Sequence, residues 1–531
     1  MYGLLTVLRV NLRPHAHPLT LGVAALALYL TGLPQSITWA HSAADSGELA
    51  AAAATWGVPH PPGYPVYILL GKLFLFIPWG DPAHRLAVMS AVAGTGAVVL
   101  IWYLIREMQY LTSNGKESPS RWPATVGAGA LVVSPIFWSQ AIVVEVYALN
   151  ALFFAGVAFL LAGWWRRQQS WPARKHNYLW LLAGATLLGL GLGNHLTLAL
   201  LVPLVGGAVW WGACKGFLSI RRIGFVALAL LTGLGLYAYL PIASSQGPPI
   251  NWGIPSNWTG FVWTVSGTPY QPYLFGLPID ALPDRIVSWL RLVFLEQFTP
   301  VGAGLALLGA LHLWERNRPL LLASAWVVLS LTLYAITYDS KDSDVFLIPV
   351  FMALATWLAL GVDWALQVVG QSSLGRGRPS EIRVSGMVIA AVLIMAPGVT
   401  FAANLSNVPL RGDAAAYRYA QETLAGVEQG AVIFAETDEE LFSLWYGRYA
   451  LDERPDVTVV SSRLLQYDWY WEQLERRYPS IVPEQIPLGA SPRLAALIEE
   501  SIGVRPIYAT MQVRGVQAYE QERVGNLLRL R

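Results

Sequence analysis

The sequence predicts a polytopic α-helical membrane protein that ends in a small soluble α/β domain. Composition is the first reason. Of 531 residues, 55% are AVILMFWYC and 13% are charged, and the mean hydropathy is +0.45; soluble domains carry about twice that charge. The second reason is where the charges fall. Residues 405–531 hold 13 Lys+Arg and 18 Asp+Glu, whereas residues 1–404 hold 22 and 15. A membrane domain, 1–404, therefore precedes a soluble domain, 405–531. The third reason is sidedness. With the N-terminus inside, 17 of the membrane domain's basic residues fall on inner segments and 5 on outer ones, the bias of cytoplasmic loops. A net charge of +2 argues against a nucleic-acid binder. The single cysteine, Cys214, excludes an internal disulfide and a cysteine-based zinc site.

Eleven apolar stretches come near the ~20 residues that cross a bilayer. They are 19–37, 86–105, 122–138, 146–163, 178–193, 196–213, 223–243, 300–314, 319–338, 345–366 and 384–403. The first lacks a small-residue cleavage site after a short apolar core and reads as an uncleaved anchor. The stretch 66–77 is shorter and is bracketed by Pro61, Pro62, Pro65 and Pro78. It reads as an interfacial helix; as a span it would invert every later loop and erase the charge bias. Eleven spans put the N-terminus in the cytoplasm and the C-terminal domain outside. The expectation is a multi-pass plasma (inner) membrane protein with an extracytoplasmic C-terminal domain.

Most acids of the membrane domain fall on the outer side. Asp45-Ser-Gly-Glu48 follows the first span and leads into an Ala-rich stretch that favours helix. These residues also fit a plain helix cap, with Asp45 or Ser46 as the capping side chain. His60 follows in Gly57-Val-Pro-His-Pro-Pro-Gly-Tyr-Pro65, a stiff turn that either links two helices or holds the imidazole near those acids. Glu145 is flanked by apolar residues at the outer end of the fourth span. An acid there is a functional candidate by default, although a wet loop or a cap would also explain it. Asn194-His195 sits at another outer turn. The loop from Tyr338 to Asp344 reads as solvated and lacks the spacing of a calcium loop. The outer segment 244–299 is rich in Trp, Tyr, Pro and Gly, which suits a membrane interface or stacking on sugar or prenyl groups. No phosphate-binding loop, dinucleotide fingerprint or metalloprotease helix occurs.

The soluble region alternates strand and helix: strands at 431–435, 457–461 and 506–510, and helices at 438–449 and 469–478. A small parallel sheet follows. The run Glu436, Asp438, Glu439, Glu440 reads as an acidic helix start.

The motifs together resemble the transmembrane protein 260-like O-mannosyltransferase family (domain of unknown function 2723), within the type C (GT-C) glycosyltransferases. The residues that carry the resemblance are Asp45-Ser-Gly-Glu48, Gly57 through Pro65, Gly71-Lys72, Arg85-Leu86, Glu145 through Asn150 and Gly189 through His195. In the soluble part, Arg454-Pro-Asp-Val457 and Leu464 through Tyr470 fit as well. The resemblance implies a GT-C-like fold and a polyprenyl-phosphate-linked hexose donor, mannose first among candidates. The acceptor would be a hydroxyl on a protein or glycan. It also implies Asp45 as general base, assisted by Glu48, with His60, Tyr64, Arg85, Glu145, Asn194 and His195 as substrate- or donor-binding candidates. A monophosphate leaving group and a single displacement imply inversion, no metal and no cofactor beyond the lipid co-substrate. A transporter or flippase of lipid-linked saccharides and a non-catalytic envelope scaffold are the competing readings. Against the first, no related halves with broken helices are visible.

Overall fold

The computed structural model describes residues 15–113, 119–169, 176–376, 397–485 and 487–531. The membrane domain opens with α1 (Ala16–Gly32) and then two short helices, α2 (Ser46–Thr55) and α3 (Pro65–Phe74). The bundle follows. Its helices are α4 (Pro82–Thr112), α5 (Trp122–Val132), α6 (Pro135–Gln140), α7 (Tyr147–Gln169), α8 (Tyr178–Leu192), α9 (Val202–Cys214), α10 (Ile220–Leu234) and α11 (Tyr239–Ser245). A connecting excursion carries α12 (Trp258–Val265) and α13 (Leu282–Arg291), and α14 (Thr299–Arg316), α15 (Arg318–Thr337) and α16 (Ile348–Arg376) complete the described bundle. α4 packs along α7 and α14 along α16, and α4, α7 and α16 are the most buried of the long helices.

Among the described residues, six helices are long and apolar enough to cross a membrane, or seven when α14 is joined to the segment before it. That pair is bent by 100°. The helices at three expected spans, α1, α5 and α8, are shorter, with 17, 11 and 15 residues. The expected span 122–138 is two helices broken at Val133–Ser134, where Pro135 opens α6; its ring removes the N–H that a continuous helix would use. The expected span 384–403 lies outside the described residues except for its last turns. The short apolar stretch expected at the interface is α3, which packs on α2 and α4.

The C-terminal domain holds a five-stranded sheet in the order β2-β1-β3-β5-β4. β1 (Val432–Ala435), β2 (Thr458–Ser461) and β3 (Ile507–Thr510) run parallel, as the alternation predicts. Around them lie α17 (Ala415–Ala425), α18 (Asp438–Trp445), α19 (Asp468–Arg477) and α20 (Ala490–Ser501). β4 (Gln521–Val524) and β5 (Leu527–Leu530) form a hairpin that adds antiparallel to β3, so the sheet is mixed rather than purely parallel. The three parallel strands are fully buried, which is why they read as short apolar runs.

The carboxyl edge of this sheet faces the membrane domain. The loop after β1 starts α18, and α18 lies against α2. Trp39 Nε1 donates to Ser443 Oγ at 3.0 Å and to the Glu439 carbonyl at 3.2 Å. Thr38 donates to Asp413. The Leu410 amide donates to the Gly32 carbonyl at 2.8 Å. Gly47 permits the approach: a Cβ there would land on the Phe442 carbonyl oxygen.

Candidate active site

Asp45 occupies the N-cap position of α2, but its side chain makes no cap hydrogen bond. The plain capping role is thus not what the carboxylate does. Ser46 is turned away as well and donates to the Thr38 carbonyl at 3.0 Å. Glu48, one turn into α2, is fully buried. It accepts from the His60 backbone amide at 3.2 Å and pairs with His60 Nδ1. His60 Nε2 lies 2.9 Å from the Tyr64 hydroxyl and 3.6 Å from Asp45 Oδ2. One imidazole therefore bridges both acids of the Asp-Ser-Gly-Glu segment.

The loop carrying His60 is clamped rather than free. Val58 forms an isolated parallel bridge with Asn251: its amide donates to the Ile250 carbonyl at 2.8 Å and its carbonyl accepts from Trp252 at 3.0 Å. The Tyr239 hydroxyl donates to the Gly57 carbonyl at 2.9 Å. Gly63 turns the chain at φ 84°, and a Cβ would meet Leu240 at 2.9 Å, so both its conformation and its space favour glycine.

The electrostatics follow from this geometry. Burial raises Asp45 to about 6 although His60 pulls it down, and Glu48, Asp342 and Glu439 add to the rise. A third of its side chain nevertheless stays open to solvent, so Asp45 lines a deep recess rather than a sealed core. Burial alone would lower His60, but Asp45 and Glu48 outweigh it and carry it up to about 9; the ring is cationic at neutral pH. His195 is pushed down to about 4 by burial and by the charge on His60. Its Nδ1 accepts from the Thr197 amide at 3.3 Å and lies 2.8 Å from the Thr197 hydroxyl. The proton of the neutral ring is thereby placed on Nε2. Tyr64 stacks on His195 with ring centres 6.4 Å apart.

Glu145 sits between α6 and α7 with 2% exposure, and its Oε1 has no hydrogen-bond partner among the described residues. Burial, then Asp45 and Asp342, hold its acidity well above the ordinary carboxylate range. Asn194 is fully buried and donates to the Val146 carbonyl at 3.1 Å. Asp45, Glu48, His60, Tyr64, Glu145, Asn194 and His195 are thus gathered at one end of the bundle. Arg85 is not placed with them. Its guanidinium reaches the carbonyls of Trp79, Gly80 and, at 2.9 Å, Leu75, closing the chain end after α3.

Sequence reasoning missed the groups that come from far along the chain. Asp342 acts on Asp45 and Glu145. Asp438, at the start of α18, is raised to about 6 by burial and then by Asp45, yet its surface is exposed. Trp252 and Tyr270 meet His60 edge-on at 6.2 and 5.9 Å. A further feature is an apolar cavity of about 700 Å³ between α4, α7, α9, α15 and α16, with Leu201, Trp211, Trp326 and Pro349 among its walls. It lies on the flank of the bundle where α9 and α15 are mostly exposed. Leu201 is six residues from His195, and Pro349 three from Phe346, whose ring packs on His195 at 5.8 Å.

The fold is GT-C-like. The chain superposes on the crystal structure of apo ArnT from Cupriavidus metallidurans with a TM-score of 0.61 at 13% identity, covering 96% of this chain and 97% of that one. On the archaeal oligosaccharyltransferase AglB from Archaeoglobus fulgidus, in complex with an inhibitory peptide and a dolichol-phosphate, the TM-score is 0.52 at 12% identity. That match covers 94% of this chain and 70% of that one. Within that class, residues 45–215 match the protein O-mannosyl-transferase TMEM260 N-terminal domain and residues 416–490 match the TMEM260-associated domain 2. The chain is similar to protein O-mannosyl-transferase TMEM260 of Mus musculus, 26% identical over 475 residues, 86% of this chain and 64% of the relative. The Dictyostelium discoideum counterpart is 23% identical over 512 residues, 88% of this chain and 60% of the relative. The chain thus spans less than two thirds of the length of either relative.

Proposed function

We propose that this protein is an integral-membrane glycosyltransferase. It moves a hexose, mannose in the first instance, from a polyprenyl-phosphate donor to an acceptor hydroxyl on the extracytoplasmic face. Eleven spans, an inner N-terminus and an outer C-terminal domain in the plasma (inner) membrane belong to the same reading. The observation that carries it is Asp45: a carboxylate at the head of α2, open to solvent on one side, 3.6 Å from a cationic His60 and raised to about 6.

A hydroxyl is a poor nucleophile near neutral pH, and a base with an acidity near the working pH takes its proton most effectively. At pH 7 an Asp45 raised to about 6 is mostly ionised and still a better proton acceptor than an ordinary aspartate. In the proposed step the acceptor O–H proton passes to Asp45 as the new C1–O bond forms. The C1–O bond to phosphate breaks on the opposite face, and its electron pair leaves with the polyprenyl phosphate. One displacement gives inversion. In this reading the Nε2–H of His195 donates to the sugar or to the departing phosphate oxygen, and His60, whose ring nitrogens are taken by Glu48 and Tyr64, contributes its positive charge. Glu48 fixes the ring of His60, and Tyr64, Glu145 and Asn194 belong to the sugar side. The apolar cavity offers room for part of the prenyl tail. A monophosphate leaving group asks for no divalent metal. Support comes from the relatives' name, and from an ArnT structure with TM-score 0.54 described as bound to undecaprenyl phosphate.

The test is reconstitution with radiolabelled polyprenyl-phosphate mannose and, in parallel, the glucose analogue. Label leaving the lipid in the wild type and staying on it in Asp45→Asn is the expected result. Equal release by both proteins removes Asp45 from the chemistry, and translocation of label without cleavage moves the protein to the flippase class.

A further inference from the structure

Asp45 heads α2 without being fixed by it. Its side chain makes no cap hydrogen bond, and His60 Nε2 is 3.6 Å away, beyond hydrogen-bond reach. Where the carboxylate points is therefore set by the backbone that enters the helix. In that backbone His41 and Ser42, two consecutive residues with side chains, each hold φ at 59°. This is the left-handed conformation, in which a Cβ crowds the following carbonyl oxygen, and such a pair persists only where surrounding contacts over-determine it. Local bonds close the turn on either side: the Ala40 amide donates to Thr38 Oγ1 at 3.0 Å, and the Ser46 amide donates to the Ala43 carbonyl at 3.1 Å. Ala43, between the turn and Asp45, is fully buried.

Two ties from distant segments hold the turn. Gln140, the last residue of α6, donates from Nε2 to the His41 carbonyl at 2.8 Å. The His41 ring reaches the other way. Its Nε2 lies 2.8 Å from the Val408 carbonyl, which can only accept, so Nε2 carries the proton. Val408 belongs to the segment that leads from the membrane domain into the C-terminal one. Gln140 is 1% exposed, and its Oε1 has no partner among the described residues. A buried amide with an unmet acceptor is costly to stability, and an apolar side chain of the same size would fill the space without that cost. What the amide adds is its bond to the turn. Gln140 also ends the helix that leads, five residues on, to Glu145, so this bond joins the segments that carry the two acids.

We propose that Gln140 is a positioning residue for Asp45: its bond to the His41 carbonyl, together with the tie from His41 to Val408, holds the left-handed His41–Ser42 turn and so fixes where the Asp45 carboxylate meets the acceptor hydroxyl. This inference rests on the transferase reading above and adds residues that touch neither substrate nor reacting atoms. Without the bond the turn relaxes toward ordinary φ and the chain entering α2 shifts, which moves Asp45 while leaving the bundle intact. A misplacement of about 1 Å at a reacting group can lower a rate on the order of 10²-fold. The C-terminal domain enters the same line of contacts through Val408.

The experiment uses the full chain in detergent. Transfer is read as label released from polyprenyl-phosphate mannose or glucose, fold by thermal unfolding, and the placement of Asp45 by carbodiimide labelling mapped with mass spectrometry, which needs no donor. Gln140→Met keeps the volume and removes the hydrogen-bond donor. The expected result is a fall in kcat of about tenfold to a hundredfold, little change in KM for the donor or in melting temperature, and a several-fold change in labelling of Asp45. Added to Asp45→Asn, the same substitution should cause no further loss of transfer, because it acts through that carboxylate. Ser42→Gly, at an exposed position, should recover several-fold of the turnover lost in Gln140→Met, because glycine adopts the left-handed turn without a tether. If Gln140→Met does not fold, His41→Asn takes its place: asparagine tolerates the turn but is too short for Val408, and kcat and labelling should respond in the same way. Full turnover and unchanged labelling in the folded variant, losses that multiply with those of Asp45→Asn, or no recovery with Ser42→Gly overturns the proposal and leaves the transferase reading standing. Altered labelling of Asp45 in a protein whose wild type cleaves neither donor supports the tie and sinks the transferase reading instead.

Discussion

Two polar clusters lie at opposite ends of α4, and they solve the problem of buried charge in opposite ways. At the C-terminal end, Glu107 is paired with Arg166, with a second contact at 3.2 Å, and with Arg167 at 3.6 Å. Arg106 donates to Gln109 and to the carbonyls of Pro119 and Ser120 at 2.7–2.8 Å. Each acid there faces at least one arginine. At the N-terminal end, Asp45, Glu48, Glu145, Asp342 and Asp438 gather around one imidazole, with Arg463 at the rim. The arginine cluster is balanced and holds helices together. The acid cluster is unbalanced, raises Asp45, Glu145 and Asp438 above the ordinary carboxylate range, and leaves Asp45 partly open to solvent. Imbalance of this kind marks a site that meets a substrate.

The contrast can be broken most sharply at Asp45. Asp45→Asn should lower transfer by roughly 10²–10⁴-fold, with little change in melting temperature, measured as label released from donor. Glu107→Gln should do the reverse. Removing the acid takes away the carboxylate that Arg166 and Arg167 share, and a loss of about 1–3 kcal/mol is expected; thermal unfolding in detergent would show it, with turnover per folded molecule nearly unchanged. A large loss of turnover in folded Glu107→Gln would end the distinction.

Gly47→Ala tests the seam that joins the acid cluster to the second domain. The added methyl meets the Phe442 carbonyl, and overpacking of this kind costs roughly 1–3 kcal/mol. Activity should fall more than stability, because α18 would be displaced from Asp45. The pH profile sharpens the comparison further. Asp45 must be ionised, so transfer should rise as pH climbs through about 6, and His60 must be charged, so it should fall as pH passes about 9. The sign for stability is separate: a His60 raised above its unfolded value contributes fully below about 6.5 and loses that contribution by about 9. The smallest effect is expected from Ser443→Ala, which removes one acceptor from Trp39 and should cost about 0.5–1.5 kcal/mol.

Much of the membrane domain was legible because its period, its charge bias and its prolines are local signals. The shortness of α3 could be read from its length and flanking prolines, and the parallel strands from short β-branched runs. The break at Val133–Ser134 was written in Ser134-Pro135 but hidden inside an otherwise apolar run. The β4–β5 hairpin escaped because Gln521 through Val524 is polar; the two-residue Gly525-Asn526 turn was the available clue. In the site, Asp45, Glu48, His60 and Tyr64 were visible as one stretch of motif. Asp342, Asp438 and Trp252 were not, because only tertiary packing brings residues nearly four hundred positions apart to one recess. Arg85 entered as a donor-binding candidate through the family resemblance, whereas its guanidinium is spent on backbone carbonyls after α3.

The bare backbone at Gly47 also bears on how such proteins can be recombined. Where α2 meets α18 at Gly47 with no Cβ between the backbones, the C-terminal domain is not interchangeable with one from another chain, even one of the same sheet order. A graft would have to bring its own complement to α2. Exchange of the two segments as a matched pair is the route by which a chimera would keep its turnover.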